Sequence, residues 1–137
     1  MDVVVLIGRI LFAVLILGSA YAHFTQSAGM TQYAAAKGVP LPLPSVLGGG
    51  VLLAIGGLSV LFGVWADLGS LLLFLFLLPT AVLMHPFWKE TDPQAKMTET
   101  VHFNKDIGLA GASLMLLGLF SIAGDNLGLT ITGPLFT

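Results

Sequence analysis

Cysteine is absent from this chain. Its absence excludes disulfides, thiolate chemistry, c-type haem attachment and cysteine-ligated iron–sulfur clusters together. Charge is scarce as well. Only 9% of the 137 residues are Asp, Glu, Lys or Arg, where soluble domains carry about a quarter. The net charge of −2 and the lack of any basic block exclude a nucleic-acid partner. No resident cofactor motif is present, so no intrinsic cofactor is expected. A redox role would draw on a bound molecule, with a quinone as the candidate, or on a partner's chemistry.

What is abundant is apolar surface. The chain is 56% hydrophobic, with a mean hydropathy of +0.98. One core of this size could not hide so much, so lipid must take the excess. We read an all-α integral membrane protein, a single domain over residues 1–137 built as a four-helix transmembrane bundle. A span needs roughly 20 apolar residues, and four segments fit, at about 3–23, 45–64, 65–85 and 101–123. The first could pass for a signal peptide, with Arg9, an apolar run and Ala20-Tyr21-Ala22. Residues 3–8 are already strongly apolar, however, and it is expected to stay as the first span.

The connections alternate in length. The first, SAGMTQYAAAKGVPLPLP, reads as a short interfacial helix broken at Gly38 and stopped by three prolines. The second is a tight turn near Ala66-Asp67. The third, PFWKETDPQAKMTET, is polar. The two long loops therefore share one membrane face, and the termini share the other. Lys37, Lys89, Lys96 and Lys105 fall on the long-loop face, which places it in the cytoplasm and the termini outside. The expected location is a bacterial inner membrane.

Glycines 49, 56 and 63, with 50 and 57, recur every seven residues along the second span and predict a close helix–helix seam. Gly108, Gly111, Ala112 and Gly118 predict a similar seam on the fourth. Pro79 cannot donate to the Leu75 carbonyl, so a kink is expected there.

Polar residues inside this apolar chain carry the functional reading. Arg9 lies about two turns into the membrane. It either snorkels to the headgroups or faces the interior, where it needs an acid or several carbonyls. Asp106, approaching from the other face, is the leading acidic partner, giving an intramembrane Arg9–Asp106 pair. His23, His85 and His102 end or open three spans on the long-loop face, beside Trp88, Asn104 and Lys105. Such a group suits a ligand or quinone pocket. Polar and aromatic residues also gather at membrane interfaces without any function. None of the histidines has metal-ligand spacing, so no metal is expected.

Several stretches together resemble a known family. Gly8-Arg9-Ile-Leu-Phe, Lys37-Gly-Val-Pro-Leu-Pro, Gly48-Gly49-Gly50-Val-Leu-Leu, His85-Pro-Phe-Trp88 and Phe103-Asn-Lys105-Asp106 are similar, in order and spacing, to motifs of DoxX family membrane proteins. The resemblance covers about residues 8 to 120 and implies a four-helix membrane bundle. It also implies association with quinone-linked membrane oxidoreductase assemblies. Asp106 departs from the family's asparagine. The expected role is a non-catalytic accessory or scaffold subunit of a respiratory or photosynthetic complex, with other membrane subunits and the bilayer as partners. The alternatives are a quinone-interacting oxidoreductase subunit and a small-molecule or lipid transporter. Whether the chain is itself an enzyme is left open by its sequence.

Overall fold

Leu, Gly, Val and Ala dominate the apolar segments, and in lipid their backbone groups must pair within the segment itself. The computed structural model describes residues 1–136, in which these segments are helical. Helix α1 spans Asp2–Thr25, α2 Ser27–Ala36, α3 Pro42–Phe62, α4 Ala66–Met84 and α5 Pro93–Ala123. Single 3-10 turns lie at Phe87–Lys89 and Gly124–Asn126. Helices α1, α3, α4 and α5 are long and apolar enough to cross a membrane. The 21 residues of α3 rise about 31 Å, matching a hydrocarbon core of about 30 Å.

The helix ends follow local chemistry. Gly38 breaks the chain after α2 with φ +79°, a conformation glycine adopts without steric cost. Pro42 then starts α3, where its missing N–H is harmless. The α3–α4 turn needs left-handed backbone at Gly63 (φ 65°) and at Trp65 (φ 43°). Asp92 caps α5 by accepting from the Ala95 amide at 2.8 Å, with Pro93 in the first turn. Helix α5 therefore starts at Pro93, well ahead of the apolar boundary at Val101. Polarity in PQAKMTET marks where the membrane ends, while the cap marks where the helix begins.

Packing runs α1 on α3, α3 on α4 and α4 on α5, with α2 laid against α3 and α1. The core joins Ile16, Ala20, Leu53, Val60, Leu73, Leu77 and Ala110. The α3 glycines divide into two seams. A Cβ on Gly56 would sit 2.6 Å from Leu73 Cγ on α4, and one on Gly57 would sit 2.9 Å from Leu17 Cδ2 on α1. The α5 glycines behave differently from expectation. Gly108, Gly111 and Gly118 have nothing within 4 Å of an added Cβ. Helix α5 buries Glu99, Asp106, Ala110, Ser113 and Phe120 instead, which turns its glycine stripe outward. Pro79 lies within an unbroken α4, and the neighbouring Thr80 hydroxyl donates to the Phe76 carbonyl at 2.7 Å.

At the end of the bundle near both termini, the C-terminal segment folds over the α3–α4 turn. Ile131 N and Thr132 N donate to the Gly63 carbonyl at 3.1 and 3.0 Å. Trp65 N donates to Thr132 Oγ1 at 2.8 Å, steadying the left-handed Trp65. The buried carboxylate of Asp67 accepts from Leu135 N at 2.7 Å and Phe136 N at 2.6 Å. Arg9 is 1% exposed and donates to the carbonyls of Val60 at 2.8 Å, Leu61 at 2.7 Å and Leu129 at 2.7 Å. Its guanidinium also sits 5.8 Å from the Phe120 ring centroid.

Candidate ligand cavity

The opposite end, where the two long connections meet, holds a cavity of about 760 Å³. Its apolar wall comes from α3 and α4, through Val46, Leu52, Leu72, Phe76, Pro79 and Leu83. Its polar wall comes from α2, the end of α4 and the start of α5, through Tyr33, His85, Glu99, His102 and Lys105. His23 and Ser19 of α1 complete it. An apolar vessel with a few convergent polar groups is the usual form of a small-molecule site.

Glu99 is the hub of the polar wall. It is 8% exposed, and such a buried carboxylate needs partners. It accepts from the Tyr33 hydroxyl, and its Oε2 lies 2.7 Å from His85 Nδ1. Lys37 Nζ lies 3.4 Å from Glu99 and 2.9 Å from Glu90 Oε1. The Tyr33 hydroxyl also lies 3.2 Å from the Met84 carbonyl. These contacts tie the short helix α2 and the Lys37 turn to α4, α5 and the loop between them. Burial, and next the hydrogen bond to Glu99, push the Tyr33 phenol well above its ordinary value of 10.0. Burial pulls Lys37 down, but Glu90 and Glu99 outweigh it and hold the ammonium above its ordinary 10.5.

Deeper along α5, His102 stacks on His85 with centroids 5.1 Å apart and planes at 27°. Asp106 Oδ2 lies 3.6 Å from His85 Nε2, and Oδ1 lies 3.5 Å from Lys105 Nζ. A smaller chamber of about 60 Å³ adjoins the main cavity. It shares Ser19, His23, Phe76, Thr80 and Lys105 with that cavity and adds Asp106. Ile16, Leu53 and Leu77 of the core line its inner side.

The expected site residues thus separate. His23, His85, His102 and Lys105 line one cavity, and Asp106 lines the chamber beside it. Trp88 is half exposed and packs edge-on against Phe87 and Phe103, away from the cavity lining. Asn104 is exposed on α5 and lines neither space. The structure does not bring Arg9 and Asp106 together. Arg9 reaches carbonyls at the C-terminus of α3, where the last four have no helical donor. Asp106 instead faces His85 and Lys105. Among the described residues, no group of three or more His, Asp or Glu is arranged to hold a metal ion.

Sequence reasoning missed Tyr33 and Glu99 as site members and used Lys37 only for topology and for the family resemblance. Glu99 did leave a trace. It stands three residues before His102 and seven before Asp106, on the same helical face. Ending the apolar window at Val101 assigned it to a loop. Tyr33 lies in a weakly patterned helix and left no comparable trace.

The family profile described as DoxX matches residues 4–86, from α1 to just beyond the end of α4. The chain is similar to Inner membrane protein YqjF of Escherichia coli (strain K12), 35% identical over 136 residues, covering 97% of this chain and 86% of that one. It is also similar to Inner membrane protein YphA of the same organism, 26% identical over 114 residues, covering 83% and 81%. No solved structure matches.

Proposed function

The chain belongs to the DoxX family of integral membrane proteins, and on that premise we propose that it is a binding subunit of a redox-linked inner-membrane assembly. It holds an amphipathic, ring-bearing lipophile of the quinone class in the cavity, while partner subunits supply the electron chemistry. One observation carries the reading: a cavity of about 760 Å³ joins an apolar wall on α3 and α4, two helices long and apolar enough to span, to a polar wall of Tyr33, His85, Glu99, His102 and Lys105. A lipophilic ring and tail favour the first wall, and a polar head group favours the second. The printed names of both E. coli relatives support an inner-membrane location. The four lysines near the cavity end support a cytoplasmic mouth.

A scaffold role without a ligand is the second reading, and the outward stripe of Gly108, Gly111 and Gly118 favours it. Small residues allow close helix approach in membranes, and among the described residues nothing lies within 4 Å of a Cβ added at these three positions. Gentle detergent purification followed by mass spectrometry of retained lipophiles and partner subunits separates the two. Retained quinone in the wild type, lost in His102→Ala, supports the binding subunit. Stable co-purification with membrane subunits, with no quinone retained and none bound on titration, leaves the scaffold reading and overturns the first.

A further inference from the structure

We propose that the small chamber seats a hydrogen-bond-donating head group, a phenolic or hydroquinone hydroxyl. The protein then prefers the reduced form of a quinone-class ligand. The proposal rests on the cavity reading above and goes further by naming the chemistry of the head.

The chamber is rich in free acceptors. Asp106 is 5% exposed and lines it. Its nearest cations stand at 3.6 and 3.5 Å, beyond the roughly 2.7–2.9 Å of a charge-assisted hydrogen bond. No donor among the described residues hydrogen-bonds to this carboxylate. His23 adds a second acceptor. Its Nδ1 lies 2.7 Å from the Ser19 carbonyl, which can only accept, so Nδ1 carries the proton. In the neutral ring, Nε2 then holds a lone pair, and no described residue donates to it. The Thr80 hydroxyl gives its proton to Phe76 and keeps its oxygen lone pairs free. Three groups from α1, α4 and α5 therefore await a proton donor.

Lys105 is the cation at the chamber wall. It already faces Asp106, so an ammonium head group would meet its charge. A neutral hydroxyl uses a carboxylate lone pair without displacing that pair. The volume agrees. About 60 Å³ is room for roughly two waters, or for one hydroxyl and the ring carbon bearing it, with ring and tail left in the larger cavity. A quinone carbonyl in the same seat could accept from Lys105 or from the Ser19 hydroxyl, but it would leave Asp106, His23 Nε2 and Thr80 without a donor, and buried acceptors without donors are penalised. A hydroxyl can accept and donate at once. The expected preference for hydroxyl over carbonyl is on the order of tenfold to a hundredfold.

The test uses the full chain in lipid nanodiscs and two probe pairs. One pair is a short-chain ubiquinone and its hydroquinone under argon. The other is a redox-inert alkylphenol and its O-methyl ether, alike in ring and tail. Tighter binding of the hydroquinone and the phenol, each by about tenfold or more, supports the proposal. Asp106→Asn adds an amide donor, so it should weaken the phenol and strengthen the quinone, narrowing or reversing the preference. Equal wild-type binding of phenol and ether overturns the donor seat while leaving the cavity reading intact. Binding of none of the four overturns the cavity reading. An unchanged preference in Asp106→Asn removes that residue from the seat, and tighter binding of an alkylamine of the same tail, run as a fifth probe, overturns the neutral head. The wild-type comparison stands even where the variant does not fold.

Discussion

Nη1 of Arg9, two turns into the first helix, lies 2.7 Å from the carbonyl oxygen of Leu129 near the other end of the chain. The same guanidinium holds Val60 and Leu61 at the C-terminus of α3, where helix dipoles favour a cation. A buried charge is costly without partners, and here carbonyls rather than an acid supply them. The fork of donors reaches three carbonyls on two segments at once, a geometry lysine lacks.

Arg9→Lys is therefore expected to lower stability by about 1–3 kcal/mol, and Arg9→Met by more, because three carbonyls lose donors. Denaturant titration in detergent measures both. In the double variant Arg9→Lys/Asp106→Asn the effects should add within about 0.5 kcal/mol, as for distant sites. A larger coupling would show that the two residues interact.

Glu99 holds α2 down through Tyr33 and Lys37. Glu99→Gln and Tyr33→Phe should each loosen that helix, with a coupling of about 1 kcal/mol in the double-mutant cycle. Limited proteolysis between Gln26 and Val39 should speed up in both variants. Cleavage at the wild-type rate would mean that other contacts hold α2.

Alkaline pH should act on the same contacts. Folding raises both the Tyr33 and the Lys37 values above their ordinary 10.0 and 10.5. A raised value gives stability that is complete below the unfolded pKa and lost as pH climbs through the folded one. The melting temperature should hold steady from about pH 7 to about 9.5 and fall above about 10.5. The double variant Tyr33→Phe/Lys37→Met should flatten that decline. An equally steep decline in the double variant would assign it to other groups.

Glycine packing gives a paired test. Gly56→Ala pushes a methyl against Leu73 and, 3.2 Å away, the Gly69 carbonyl, and should cost about 1–3 kcal/mol. Gly111→Ala meets open space and should be neutral, or stabilising by up to about 1 kcal/mol through helix propensity. Thermal unfolding in detergent ranks the two. Gly111→Ala also probes the second reading, since a partner seated on that face would be lost from the purified complex.

The four spanning helices were legible because lipid imposes one simple rule, a run of apolar residues long enough to cross. The seven-residue glycine spacing on α3 likewise announced close contacts at Gly49, Gly50, Gly56 and Gly57. The same device misled on α5, because spacing reveals a smooth face without saying what it meets. The site was half legible. Histidines in a nearly uncharged chain draw notice at once, whereas Glu99 sits in a polar stretch where one more acid looks ordinary. Arg9 could be recognised as interior or snorkelling. Its acceptors could not be named, since carbonyls have no letter in a sequence and Leu129 lies 120 positions away.

The cavity wall on α4 includes Leu75 and Leu83, which are 57% and 55% exposed on a helix that crosses the bilayer. Where such a wall meets acyl chains, the competitor for the site is lipid rather than water. Occupancy then follows the mole fraction of a lipophile within the membrane, already enriched by partitioning at about 0.8 kcal/mol per methylene. A site of modest intrinsic affinity can stay filled under these conditions. Dissociation constants quoted in aqueous molarity would make it seem far tighter than its contacts are.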